Sequence, residues 1–241
     1  MIGIIVNVVC VFTGGIIGAF CSKILNKRTT EKVNSVFGIS AIGMGICSVI
    51  LVKNLTPVIF ALIAGTIIGD LIHLNELFKK GGSLLQKPVS KILKVPSGIA
   101  KEEYESLLVT TIVLFCCSGT GIYGCLDAGM TGEYSILLAK SVLDFFTAII
   151  FACTLGLVTA FIAVPQIIIF SLLFLLARFI VPFTTPVMIN DFRACGGLIL
   201  LATGLRISKI KEFSIADMIP SMVLVMPCSW IWTEYILPLL S

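Results

Sequence analysis

Of the 241 residues, 58% are hydrophobic and only 12% are charged, with a mean hydropathy of +1.11. A water-soluble domain of this length has no use for so much apolar surface, so composition excludes that class and leaves a polytopic membrane protein with the lipid bilayer as its first partner. The formal charge of +4 is not backed by a basic surface interleaved with aromatics, so nucleic acid is not an expected partner.

In chain order, the apolar runs predict eight helices crossing roughly 30 Å of hydrocarbon, over about residues 2–24, 37–52, 56–74, 106–125, 134–160, 163–182, 192–208 and 215–237. The first run has no basic leader and no small-residue cleavage site followed by a polar chain, so it is expected to stay in the membrane. Between the third and fourth runs lies the one long hydrophilic stretch, Lys79 to Glu105, with Gly81, Gly82, Pro88, Pro96 and six lysines. Leu84, Leu85, Val89, Ile92 and Leu93 alternate there with Lys87, Lys91 and Lys94, which suits either a short amphipathic helix at the inner interface or a solvated tether.

Orientation follows from the loops, because cytoplasmic loops carry the excess of Lys and Arg. With the N-terminus outside, thirteen of the seventeen basic residues fall on the inner side, in the loops after the first, third and seventh helices. Lys53 and Arg193 fall outside, and Lys140 and Arg178 lie within spans. Eight crossings with both termini outside are therefore expected. Trp230, Trp232 and Tyr235 close the last run in the manner of an aromatic belt at the outer surface.

A faint internal similarity relates the first three runs to the last three. Gly45 to Thr56 resembles Gly204 to Ser214, and Thr29-Thr30 matches Thr184-Thr185. With two helices between them, the copies have opposite orientations, as in inverted-repeat transporters. The expected architecture is all-α: about eight transmembrane helices in a 3+2+3 inverted repeat with broken central helices. Residues 1–78 form the first repeat, 79–105 a cytoplasmic loop, 106–160 a central pair and 163–241 the second repeat.

The central pair holds the residues that carry chemistry. Ser118, Gly119, Thr120 and Gly121, followed by Gly124, make a poor continuous helix, since each interior glycine costs up to about 1 kcal/mol relative to alanine. Either the chain unwinds there, so that carbonyls and the two hydroxyls bind a cation or polar solute, or the small residues let neighbouring helices approach. The next run carries Lys140, Ser141 and Asp144 at membrane depth, where ionisable groups are costly. Lys140 and Asp144 share a helix face and can neutralise one another as a structural pair. In a functional reading Asp144 binds a coupling ion or proton and Lys140 is its counter-charge. Asn7 in the first run and Asp70, which follows the Gly65 to Gly69 motif, complete the candidates; alone, the first reads as an interhelical hydrogen bond and the second as a solvated helix end.

Nine cysteines lie almost entirely in apolar runs without a CxxC pair, and the chain has one histidine, so they read as small hydrophobes; no metal or other cofactor is expected. A phosphate-binding glycine loop with its lysine, HExxH and GxSxG are absent from the sequence, which leaves an enzyme reading without motifs.

Two strings, CSGTGIYGCLDAGMTGEYSILLAKSVLDFFTAIIFACTLG over residues 117–156 and GGLILLATGLRISKIK over 196–211, resemble the YqgA/YdfK type of bacterial inner-membrane protein. The resemblance covers nearly the whole chain. It implies an integral protein of the bacterial cytoplasmic membrane and no defined activity. The third run ends in Gly69-Asp70 where that family leads one to expect a glutamate, and Arg178 has no expected counterpart. The function expected from the residues is a secondary transporter or permease for a small polar solute or ion. The alternatives are a homo-oligomeric ion channel or pore, and a membrane scaffold or sensor that transports nothing.

Overall fold

A computed structural model of the protein describes residues 1–20, 27–90 and 101–240, and every regular element among them is helical. Helix α1 is Ile2–Phe20, α2 Lys27–Val49, α3 Leu55–Leu71 and α4 Leu74–Ser90. After the undescribed stretch come α5 (Lys101–Cys116), α6 (Gly119–Thr131), α7 (Ser135–Leu155), the single turn α8 (Val158–Phe161) and α9 (Ala163–Ile180). The chain ends with α10 (Pro186–Ile207), α11 (Ile215–Met218), α12 (Pro220–Ile231) and α13 (Leu237–Leu240).

Among the described residues six segments are long and apolar enough to cross a membrane: Ile2–Phe20, Leu107–Thr131, Ser135–Leu155, Val158–Phe183, Pro186–Ile207 and Ile215–Leu240. A seventh arises if α3 and the start of α4 count as one span, bent by 58°. His73 sits in that bend with a left-handed backbone (φ 52°), which breaks the helical hydrogen-bond ladder between them. The second expected span survives as a shorter apolar helix, Ser35–Val49. The lysine-rich stretch is helical as far as Ser90, with Gly82 facing Val109 and Val113 of α5 and Leu85 packed against the buried core; its continuation through Lys91, Ile92, Leu93 and Lys94 lies outside the described residues.

By packing, the chain divides into two compact units, each assembled from distant parts of the sequence. The first comprises Met1–Val33 and Glu76–Ala177, the second Asn34–Asn75 and Arg178–Ser241.

In the first unit, α1 and α7 run parallel in close contact: Gly3 meets Leu137, Gly14 meets Ala148 and Gly18 meets Ala152, at a constant offset. A Cβ on Gly14 would stand 2.4 Å from the Phe145 carbonyl oxygen, and one on Gly18 2.3 Å from that of Ile149, so glycine sets the approach of the backbones. Tyr104, Leu108, Ile112 and Phe115 of α5 fill one core with Ala148, Leu155, Val158 and Ile162. Ile4, Cys125, Leu137, Phe170 and Phe174 fill another.

In the second unit, α2 and α10 pack antiparallel through Gly38 on Gly204 and Gly45 on Gly197. Helix α3 runs antiparallel to α11 and α12 through Gly65 on Ser221 and Gly69 on Asp217. Two buried carboxylates pin helix starts in this unit. Asp191 accepts the backbone N–H groups of Lys53 and Asn54, both at 2.8 Å, and the Ser229 hydroxyl at 2.6 Å. Asp217 accepts the Asn75 N–H at 3.1 Å and the Ser214 hydroxyl.

The distribution of polarity fits lipid. Asn7, Gln166, Asp191, Ser221 and Ser229 are fully buried, while Ile5, Val9, Phe60, Ile63, Ile168 and Leu172 are exposed. A polar group facing hydrocarbon would lose its hydrogen bonds, so polar side chains turn inward and apolar ones outward.

Candidate functional site

The site lies within the first unit and is built on α7. Lys140, Ser141 and Asp144 fall on its buried face, because residues four apart project from the same side. Lys140 Nζ lies 2.5 Å from Asp144 Oδ2, with side-chain exposures of 3% and 10%. The Ser141 hydroxyl donates back to the Leu137 carbonyl at 2.6 Å and adds no interhelical bond.

Two neighbouring helices complete the network. Asn7 of α1 donates Nδ2 to Asp144 Oδ2 at 2.9 Å. Gln166 of α9 donates Nε2 to Asn7 Oδ1 at 2.9 Å and to the Phe115 carbonyl at 3.2 Å. The Lys140 ammonium also lies 5.9 Å from the centre of the Phe170 ring, within reach of the ring's negative face. Lys140, Asp144, Asn7 and Gln166 thus form a continuous polar chain across three helices.

That chain meets the broken helix. The α5 helix ends at Cys116, and Ser118 takes an extended backbone (φ −68°, ψ 145°) before α6 starts at Gly119. The Ser118 hydroxyl caps α6 by accepting the Gly121 N–H at 3.2 Å. In an unbroken helix the Phe115 carbonyl would accept the N–H of Gly119. Here the Gln166 amide takes that carbonyl. Among the described residues the N–H groups of Gly119 and Thr120 find no acceptor, although both residues are buried.

The break falls before the glycines rather than among them. Gly121, Gly124 and Gly129 lie inside α6 and serve contact: a Cβ on Gly121 would stand 2.7 Å from Phe170 Cζ and 3.0 Å from Lys140 Cε. On Gly129 it would stand 2.5 Å from the Phe174 carbonyl oxygen. Interruption and close approach thus both occur, on successive residues. The α6 helix runs on to Thr131 and is closed by Gly132 in the left-handed conformation (φ 77°).

The structure therefore gathers Asn7, Lys140, Asp144 and the Ser118 to Gly121 break into one place. Asp70 is exposed at the end of α3, in the second unit. Sequence reasoning missed Gln166, whose signal was a single amide in the apolar run after Pro165. The expected span 192–208 also places Asp191 in a loop, though Thr185-Pro186 marks the start of α10: the Thr185 hydroxyl accepts the Met188 N–H at 3.3 Å. Among the described residues the Gln166 Oε1 atom, fully buried, has no donor. The eight described cysteines are free, and no group of three or more His, Cys, Asp or Glu there could hold a metal.

The family described as "Protein of unknown function (DUF554)" matches residues 2–230. "Uncharacterized protein YqgA" of Escherichia coli (strain K12) is 43% identical over 235 residues, which is 98% of this chain and 99% of that protein. "Uncharacterized membrane protein YdfK" of Bacillus subtilis (strain 168) is 28% identical over 231 residues, 93% of each. No solved structure matches.

Proposed function

The chain belongs to the DUF554 family of proteins of unknown function, and we propose that it is a secondary transporter or permease for a small polar or ionic solute. We place it in the bacterial cytoplasmic membrane, with eight crossings and both termini outside. Helix directions support that count: α1 and α7 run parallel, α2 and α10 antiparallel, and α3 and α12 antiparallel, as alternate crossings require.

One observation carries the proposal. A buried lysine–aspartate pair is joined through Asn7 and Gln166 to a helix break that leaves two backbone donors free. Stability alone gives little reason for it, since a buried ion pair is often no better than apolar side chains of the same size. Interrupted helices ending on charged groups at membrane depth are how transporters present backbone dipoles to a solute. Asp144 and Lys140 hold one another until a solute or proton competes for one of them.

The test works for an unidentified solute. Proteoliposomes are incubated with a mixture of small metabolites from a cell extract, and their contents are compared by mass spectrometry with protein-free vesicles. A transporter gives protein-dependent, saturable uptake of at least one polar solute and no unitary currents in planar bilayers. Unitary currents would replace the reading with a channel, and neither signal would leave a scaffold or sensor.

A further inference from the structure

The polar groups left unpaired at the break specify more than a generic solute. Resting on the transport reading above, we infer that the break between α5 and α6 binds a small monocarboxylate with a hydrogen-bond donor on its α-carbon, an α-amino or α-hydroxy acid.

The donors come from α6. Its first two N–H groups, on the buried residues Gly119 and Thr120, have no acceptor among the described residues. A helix N-terminus carries roughly half a positive charge, and adjacent free N–H groups match the two oxygens of a carboxylate. The Lys140 stem lies against Gly121 in the same turn, which brings a second positive element to the site.

The acceptors come from the opposite side of the network. Gln166 is fully buried, its Nε2 is committed to Phe115 and Asn7, and its Oε1 has no donor among the described residues. The amide is anchored through Nε2 on the carbonyl that Gly119 would have used, so the unpaired Oε1 belongs to a group held at the interruption. Both bonds recorded for Asp144 fall on Oδ2, so Oδ1 is a second acceptor there. A buried acceptor without a donor is destabilising, and a ligand N–H or O–H relieves that cost.

Only a ligand with both functions fits. Chloride offers no donor to Gln166, and a simple amine offers no anion to α6. A dicarboxylate would bring a second negative charge against Asp144. Phe170, packed on Gly121 and facing Lys140, keeps the substituent small.

Calorimetric titration of the wild-type protein in nanodiscs, with L-alanine, L-lactate, propionate, ethylamine and potassium chloride, tests the inference. Saturable binding is expected for alanine or lactate, with propionate at least tenfold weaker and ethylamine and chloride without heat. Whichever of alanine and lactate binds more tightly assigns the donor as ammonium or hydroxyl. In a Gln166→Leu protein the preference over propionate should disappear; the wild-type comparison stands if that variant does not fold. Equal binding of propionate, or no binding of alanine and lactate, overturns the inference. Uptake of a solute without a carboxylate in the metabolite assay would end this inference and leave transport standing, whereas no uptake at all would remove both.

Discussion

Replacing Asp144 by asparagine tests whether the carboxylate holds a buried cation. Asparagine keeps the shape and can still accept from Asn7, so the main loss is the charge opposite Lys140, which is 3% exposed and, among the described residues, has only the Phe170 ring besides. Removing one partner of a buried pair costs about 3–5 kcal/mol, because the other is left uncompensated. For a chain of this size about 2–4 °C is lost per kcal/mol, which gives a melting-temperature drop of roughly 6–20 °C in detergent. The double replacement Lys140→Met with Asp144→Leu removes both charges at similar volume and should recover most of that loss, short of the roughly 1–3 kcal/mol left by the Asn7 amide that loses Asp144 as acceptor. Thermal unfolding followed by size-exclusion of the heated samples measures all three proteins. A drop below about 2 °C for Asp144→Asn would refute the argument, since Lys140 would then have another partner or water.

Other consequences follow from the packing and the topology. Gly18→Ala puts a Cβ 2.3 Å from the Ile149 carbonyl oxygen and should cost about 1–3 kcal/mol, whereas Gly43→Ala, with nothing within 4 Å, should cost nothing measurable in the same melting assay. Asp191→Ala strands the N–H groups of Lys53 and Asn54 and the Ser229 hydroxyl, and should destabilise by about 3 kcal/mol or more in denaturant titration, at about 1–3 kcal/mol for each unpaired group. A cysteine in place of the exposed Lys79, in a cysteine-reduced background, should react with impermeant maleimide only after cells are opened; labelling of intact cells would reverse the orientation. Superposition of helices α1–α3 on the last three spans through an axis in the membrane plane is expected of an experimental map, and failure in every orientation would end the inverted-repeat idea.

How much of the structure is legible in the chain depends on how local the cause is. The Lys140–Asp144 pair is legible because four-residue spacing fixes a shared face whatever surrounds it. The interruption near Gly119 is legible as poor helix, but not its exact place. Ser118 caps α6 and the glycines continue it, because Phe170, Leu137 and Phe174 crowd those positions, and contacts between distant segments leave no local mark. Gln166 is hidden for the same reason. A lone amide in an apolar run reads as an ordinary interhelical bond until Asn7 and Phe115 are seen beside it. The bend at His73 and the burial of Asp191, in the second turn of α10, are hidden because both lie near boundaries of apolar runs, which hydropathy counts place only to within several residues.

Transport requires that the polar chain at the helix break receive a solute. That requirement is tested most directly by comparing metabolite uptake into proteoliposomes of wild type and of the Lys140→Met, Asp144→Leu double variant, once the variant is shown to melt within a few degrees of wild type. Uptake by wild type and none by the equally stable variant is the result expected. Equal uptake by both would show that the pair serves only to hold the helices together, and would contradict the account.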